Sequence, residues 1–284
     1  MRRLLLVAGI LLALLFAAGC TGTYAPADDG KLVVGVSIVP EETFVRAVAG
    51  DLADIVVMIP PGYSPENYEP TAKQMQKCTE ADVYFGIGIP AESSILPSLN
   101  PATRYVALEQ KVSVVYPDLL IGKTRDPHIW LSPKRAAVMV QAIADELSLL
   151  DAEHASLYQA NARQYITEIE ACEKELSSLL LPAKGKTFIA DHPAFGYFAD
   201  DFGLVMTVLE EEGKEATIEH RMQLEDLART LGITTVFYQE ESGGSQIRQF
   251  AEAINGVCIA LSPLSDDYLM NLRVMAELIG EEAR

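Results

Sequence analysis

The stretch over residues 133–181 constrains the fold more than any other part of this chain. It reads as helix throughout and opens with Ser132-Pro133, an N-cap residue followed by proline at the first helical position. Leu147-Ser148-Leu149-Leu150-Asp151 interrupts the pattern, and Asp151 is placed to cap a second helix. That second helix carries Leu157, Tyr158, Asn161, Tyr165, Ile169, Cys172 and Leu176 without a glycine or proline. At 1.5 Å per residue it would run ~40 Å. Such a helix is either a strut between two lobes or a cover packed on one sheet.

On both sides of it, short apolar runs rich in β-branched residues alternate with helical patterns. Strands are expected over 31–38, 54–59, 82–87 and 105–108, and again over 187–190, 204–209, 234–238 and 257–261. Strands alternating with helices predict parallel sheets. The expected fold class is α/β with two lobes, each a parallel sheet flanked by helices, joined by one long rigid helix. The corresponding segments are 31–150, a linking helix over 151–181, and 182–284.

The N-terminus reads as an export signal over residues 1–19. Met1-Arg2-Arg3 is basic, residues 4–18 are uncharged and apolar, and Ala17-Ala18-Gly19-Cys20 closes the run with small residues and a cysteine. The apolar run is short for a transmembrane helix. Cysteine after Ala-Ala-Gly resembles a bacterial lipobox, which would make Cys20 the lipidated first residue of the mature chain. Residues 20–30 are small, polar and aperiodic, as in a tether. The expected location is extracytoplasmic, lipid-anchored at the outer face of the cell membrane. The remaining cysteines, Cys78, Cys172 and Cys258, are odd in number and lack C-x-x-C spacing. That excludes a disulfide framework or thiolate zinc site and predicts buried free thiols.

A formal net charge of −18 argues against nucleic acid and anionic lipid as partners and favours an attractive field for cations. Three turns, each after an apolar run and each beside proline, carry metal-ligand chemistry. They are Pro61-Gly62-Tyr63-Ser64-Pro65-Glu66, Asp126-Pro127-His128-Ile129-Trp130, and Asp191-His192-Pro193. Ligands of open α/β sheets gather at the carboxyl ends of strands, so Glu66, His128 and His192 can converge. Imidazole suits zinc, iron and copper, and carboxylate suits manganese and magnesium; the mixture is compatible with Zn²⁺, Mn²⁺ or Fe²⁺. Asp126 and Asp191 stand near enough to accept the second N–H of each imidazole. Tyr68 and Trp130 read as packing residues that shield the turns. His154 and His220, the other two histidines, lie in polar helical surroundings and read as solvated.

Taken in order, these turns resemble the metal-specific solute-binding lipoproteins of ABC transporters, the group that receives zinc, manganese or iron. Asp126-Pro127-His128-Ile129-Trp130-Leu131-Ser132-Pro133 matches the family's D-P-H-x-W-x-x-P. Gly62-Tyr63-Ser64-Pro65-Glu66-Asn67-Tyr68-Glu69-Pro70 matches its G-x-x-P-H-x-Y-E-P, with Glu66 where the family has histidine. The turn from His192 to Phe198 is similar to its third ligand turn. The resemblance implies two α/β lobes, a long linking helix, no enzymatic activity, a divalent ion as transported ligand, and a membrane ABC permease as partner of a monomer. The family's fourth ligand, an aspartate, falls on Ser262, a poor ligand. The carboxylates after the strand at 234–238, Glu240 and Glu241, are the nearest replacements by topology, and Glu241, on the face of Gln239 by period two, is preferred. Asp266 and Asp267 are alternatives that also read as a helix cap. Two histidines with two carboxylates lean toward harder metals than a three-histidine set. Residues 115–124, where zinc receptors of the family often carry histidines, have none. A metal chelate such as haem, a siderophore or cobalamin is the alternative ligand class. A secreted metalloenzyme would need a catalytic motif, and no H-E-x-x-H, G-x-S-x-G or phosphate loop occurs.

Overall fold

The computed structural model describes residues 30–210, 214–242 and 244–282. The signal peptide, Cys20 and the tether up to residue 29 lie outside the described residues. Two four-stranded parallel sheets carry the fold. The first holds β1 (Leu32–Val36), β2 (Ala53–Val57), β3 (Val83–Gly86) and β4 (Arg104–Ala107) in the order β2-β1-β3-β4. The second holds β7 (Thr187–Ala190), β8 (Val205–Val208), β9 (Thr235–Gln239) and β10 (Val257–Leu261) in the order β10-β9-β7-β8. In each sheet the strand order reverses direction once, at β1/β3 and at β7/β9. Those are the places where loops at the carboxyl ends diverge and leave a crevice.

β1 and β2 end two residues before their apolar runs do, and β3, β4 and β8 one residue before; β1 shows why. β1 stops at Val36 because the N–H groups of Ser37 and Ile38 both donate to one carboxylate oxygen of Glu41, at 3.0 and 3.1 Å. This opens helix α1 (Val39–Ala49). Helix α2 (Ala72–Cys78) starts likewise, with Thr71 and Gln74 forming a capping box. A small hairpin, β5 (Leu120–Ile121) with β6 (Thr124–Arg125), was not expected within 115–125; Gly122, at φ 60°, makes its tight turn.

The helical stretch divides into α5 (Pro133–Leu150) and α6 (Ala155–Leu180). Asp151 closes α5 and accepts from Tyr158 Oη and the ring of His154, rather than capping α6 as expected. Helix α6 has 26 residues, about 39 Å of rise. Its buried positions Tyr158, Ala162, Ile169, Cys172, Leu176 and Leu180 form one stripe. The stripe packs against α5, α1 and the closing helix α10 (Tyr268–Glu282). Asn161 Nδ2 donates to Val48 O in α1, and Arg273 of α10 pairs with Glu175 at 2.8 Å. The helix therefore serves both halves. One apolar core runs from Val34 and Phe85 through the stripe to Phe237 and Ile279. A second, smaller core around Ile189, Leu224 and Phe250 covers the other face of the second sheet.

Polar ties behind the crevice also join the halves. Trp130 Nε1 donates to Pro263 O at 2.8 Å, and Tyr268 Oη donates to Trp130 O at 2.7 Å. Arg135, 1% exposed, donates to Pro117 O and to Asp201 at 3.0 Å each, and its guanidinium lies 4.4 Å from the centre of the Tyr197 ring. Cys78 and Cys172 are buried free thiols, but Cys258 is half-buried. Among the described residues no helix is long and apolar enough to cross a membrane.

Candidate metal centre

Each candidate ligand sits on a turn that its neighbours hold in place. Glu66 lies on the loop between β2 and α2. Tyr68 donates to Gln74 Oε1 at 2.8 Å, and Gln74 Nε2 donates to Met58 O, which folds that loop back over the end of β2. His128 follows β6. The Arg125 guanidinium donates to the carbonyls of Ile87, Gly88 and Asp126, tying this turn to the end of β3. His192 follows β7 directly, and Pro193 begins a short 3₁₀ turn that leads into α7 (Gly196–Phe202). The two histidine turns touch. A Cβ added to Gly196 would stand 2.7 Å from Asp126 Oδ2, so the position needs glycine.

The structure brings Glu66, His128 and His192 together. Glu66 Oε1 lies 3.3 Å from His128 Nε2 and 3.2 Å from His192 Nε2, and the two Nε2 atoms are 3.3 Å apart. Among the described residues this is the group of histidine and acidic side chains whose donor atoms converge closely enough for one ion. Donors at about 2.0–2.1 Å from a tetrahedral zinc stand about 3.3–3.4 Å from one another. The three edges match that value, so an ion just off the plane of the triangle would meet all three donors.

Each imidazole is aimed by a carboxylate at its far nitrogen. Asp126 Oδ1 accepts from His128 Nδ1 at 2.7 Å and from His128 N at 2.9 Å, and both residues are 2% exposed. Asp191 does not play the matching part for His192. Its oxygens accept from Gln239 N, Ser242 Oγ and the backbone N–H of His192. The ring nitrogen Nδ1 of His192 instead meets Glu210 Oε2 at 2.7 Å. Glu210 escaped the sequence reading. The available signal was its place directly after the run at 204–209, just beyond the strand that pairs with β7.

Protonation of the metal-free centre follows from these contacts. Burial alone would raise the Glu66 carboxyl, but hydrogen bonds from His128 and His192 outweigh it and hold the group well below the usual carboxylate range. Burial would depress both imidazoles. Glu210 and Glu66 reverse this for His192 and push it up to about 10; Asp126 and Glu66 raise His128.

Glu241 is not in the converging group. The strand alternation that placed it ends at Gln239, and Glu240–Ser242 form a 3₁₀ turn. Its Oε2 is buried without a hydrogen-bond partner, and burial raises its carboxyl. It lines a cavity of about 470 Å³ with Pro61, Gly62, Glu240, Ser262 and Asp266. Asp267 caps α10, accepting from Met270 N. Trp130, 1% exposed, packs its ring 5.3 Å from that of His128. His154 is half exposed beside Asp151, while His220 contacts Val208 O at 3.0 Å and so is not simply solvated. A second cavity, of about 670 Å³, opens onto Glu66, His128 and His192 from the side of the β5–β6 hairpin.

Residues 34–281 match the sequence profile of the family described as zinc-uptake complex component A, periplasmic. A Chlamydia trachomatis serovar D protein named for metal binding is 25% identical over 270 residues, 94% of this chain and 97% of that protein. The zinc-binding protein AdcA of Streptococcus pyogenes serotype M1 is 25% identical over 295 residues, 93% of this chain but 56% of AdcA. Among solved structures, that of ZnuA superposes with a TM-score of 0.84 at 31% identity, covering 89% of this chain and 100% of that one.

Proposed function

Because this chain belongs to the family of zinc-uptake complex component A, periplasmic, we propose that it captures a divalent transition-metal ion outside the cytoplasm and hands it to an ABC permease. The observation that carries this reading is the triangle of Glu66, His128 and His192, with edges of 3.2–3.3 Å. The family match favours zinc, and the edges accommodate a tetrahedral zinc. This replaces the lean toward harder metals that the ligand count alone suggested. The cavity of about 670 Å³ gives the ion a path to the donors.

Glu66 with two neutral imidazoles leaves a divalent ion one charge in excess. Glu241 is the fourth donor in this reading. Its unpartnered Oε2 and its place across a cavity from Pro61 and Gly62, at the start of the Glu66 loop, support a swing onto the bound ion. Ser262 lines the same cavity but offers only a neutral hydroxyl, a poorer donor for a divalent cation than a carboxylate. Donors that enclose an ion suit capture and release rather than turnover, and no reaction is assigned. The lipobox supports lipidation at Cys20 and attachment of a monomer to the outer face of the membrane.

The test is competition. The full chain, stripped with a chelator, is dialysed against equal zinc, manganese and iron and the bound metal is counted. One zinc per chain is expected, with none retained in Glu66→Ala, His128→Ala or His192→Ala. A wild-type chain that retains no ion would contradict the reading.

A further inference from the structure

Glu210 is the carboxylate beside the centre that no sequence motif explains. Pairing between β7 and β8 runs past the strand ends: Leu209 N donates to Ala190 O at 2.8 Å, and Glu210 N donates to Asp191 O at 3.0 Å. These bonds set the backbone of Glu210 alongside the His192 turn, and its Oε2 reaches His192 Nδ1 at 2.7 Å. The nearer acid in sequence, Asp191, already accepts three hydrogen bonds from other groups and does not engage the ring.

We infer that Glu210 is a positioning residue for the metal-facing imidazole of His192. An imidazole that binds a metal through Nε2 must carry its proton on Nδ1. A carboxylate at Nδ1 fixes that tautomer, locks the ring rotation and makes Nε2 a stronger donor. Without Glu210, the His192 ring would keep its backbone position but lose its second point of attachment. The 3.2 and 3.3 Å edges to Glu66 and His128 would then no longer be held before the ion arrives. His128 needs no such distant help, because Asp126 belongs to its own turn. The inference rests on the reading of Glu66, His128 and His192 as a metal centre.

The Glu210 side chain is 31% exposed and His192 keeps Glu66 as a partner at 3.2 Å, so the variants should fold. Zinc affinity is measured for the full chain and for Glu210→Gln and Glu210→Ala by competition with a zinc-binding dye. Each protein is also loaded with zinc and labelled with ¹⁵N at its four histidines, few enough to assign by substitution. The expected order of affinity is wild type, then glutamine, then alanine, with alanine about 10–100-fold weaker than wild type. The Nδ1–H resonance of His192 should lose its strong downfield shift in the alanine variant, while that of His128 stays in place. A merely structural role for Glu210 would lower the melting temperature without moving that resonance. Variants that bind zinc as wild type does, with an unchanged His192 resonance, would overturn the role of Glu210 alone. A wild-type chain that takes up no zinc would overturn the centre itself, and the positioning role with it.

Discussion

The two imidazoles of the centre are held by the same chemistry arranged at different ranges. His128 is aimed by Asp126, two residues earlier in the same buried turn. His192 is aimed by Glu210, eighteen residues later and just past the end of the neighbouring strand, with a side chain 31% exposed. The first arrangement is local and closed, and a short motif encodes it completely. The second depends on parallel pairing of β7 with β8, so it exists only once the second sheet has formed. The contrast extends to burial. Asp126 is buried whereas Glu210 is half covered, although the second half also buries Asp191 and Gln239 and the first leaves Glu66 half covered. The first half therefore holds His128 by a local carboxylate, whereas the second holds His192 by one that sheet pairing must supply.

The most severe way to break this comparison is to remove what holds the halves in one frame. Arg135→Ala removes the buried partner of Asp201, leaving it Lys134 and Ser132, and frees Pro117 O; it should cost about 2–3 kcal/mol of stability. Denaturant unfolding would show it as a lower midpoint, and an unchanged midpoint would mean that the apolar core alone sets the frame. Next in size, His128→Ala and His192→Ala should weaken zinc binding equally, each by more than the roughly 100-fold that marks loss of an outer partner. A large inequality between them would show that one half binds the ion on its own. Asp126→Asn should weaken zinc by about 10–100-fold, at least as much as the Glu210 variants, because its bonds to His128 are buried at both ends. Calorimetric titration of the two variants side by side decides the order.

The smallest effect concerns the buried acids of the first half. Burial, and then the charge of Glu92, raises the Glu41 carboxyl well above its ordinary value, and Glu41 Oε1 has no hydrogen-bond partner. A carboxyl whose folded value is raised contributes stability below its unfolded value, near 4.5, and loses that contribution as pH rises through the folded value. Glu41→Gln should therefore match wild type near pH 4 and exceed it near pH 7. Melting curves across that range would settle the sign; a variant less stable at pH 7 would mean that the ionised carboxylate is needed to bind the N–H groups of Ser37 and Ile38.

Legibility in the sequence followed the same division between local and distant information. The alternation of strands and helices, the long apolar stripe of α6 and the three donor turns each lie within a window of adjacent residues, and could be read there. The Asp126–His128 bond was legible for the same reason. Extrapolating that pattern to Asp191 failed, because the carboxylate of Asp191 is drawn to Gln239 N and Ser242 Oγ on β9 and its following turn. Glu210 was hidden because its role is set by strand register. Glu241 was placed by period-two alternation, which ends where the chain turns into the 3₁₀ segment Glu240–Ser242. The hairpin at β5–β6 is two residues per strand, too short for any periodicity to announce.

The most direct measurement of the central claim is X-ray absorption at the zinc edge of the zinc-loaded full chain. The account predicts two imidazole nitrogens and carboxylate oxygen at about 2.0–2.1 Å in a four-coordinate shell. A spectrum without imidazole scattering, or one that is unchanged in His128→Ala and His192→Ala, would contradict it.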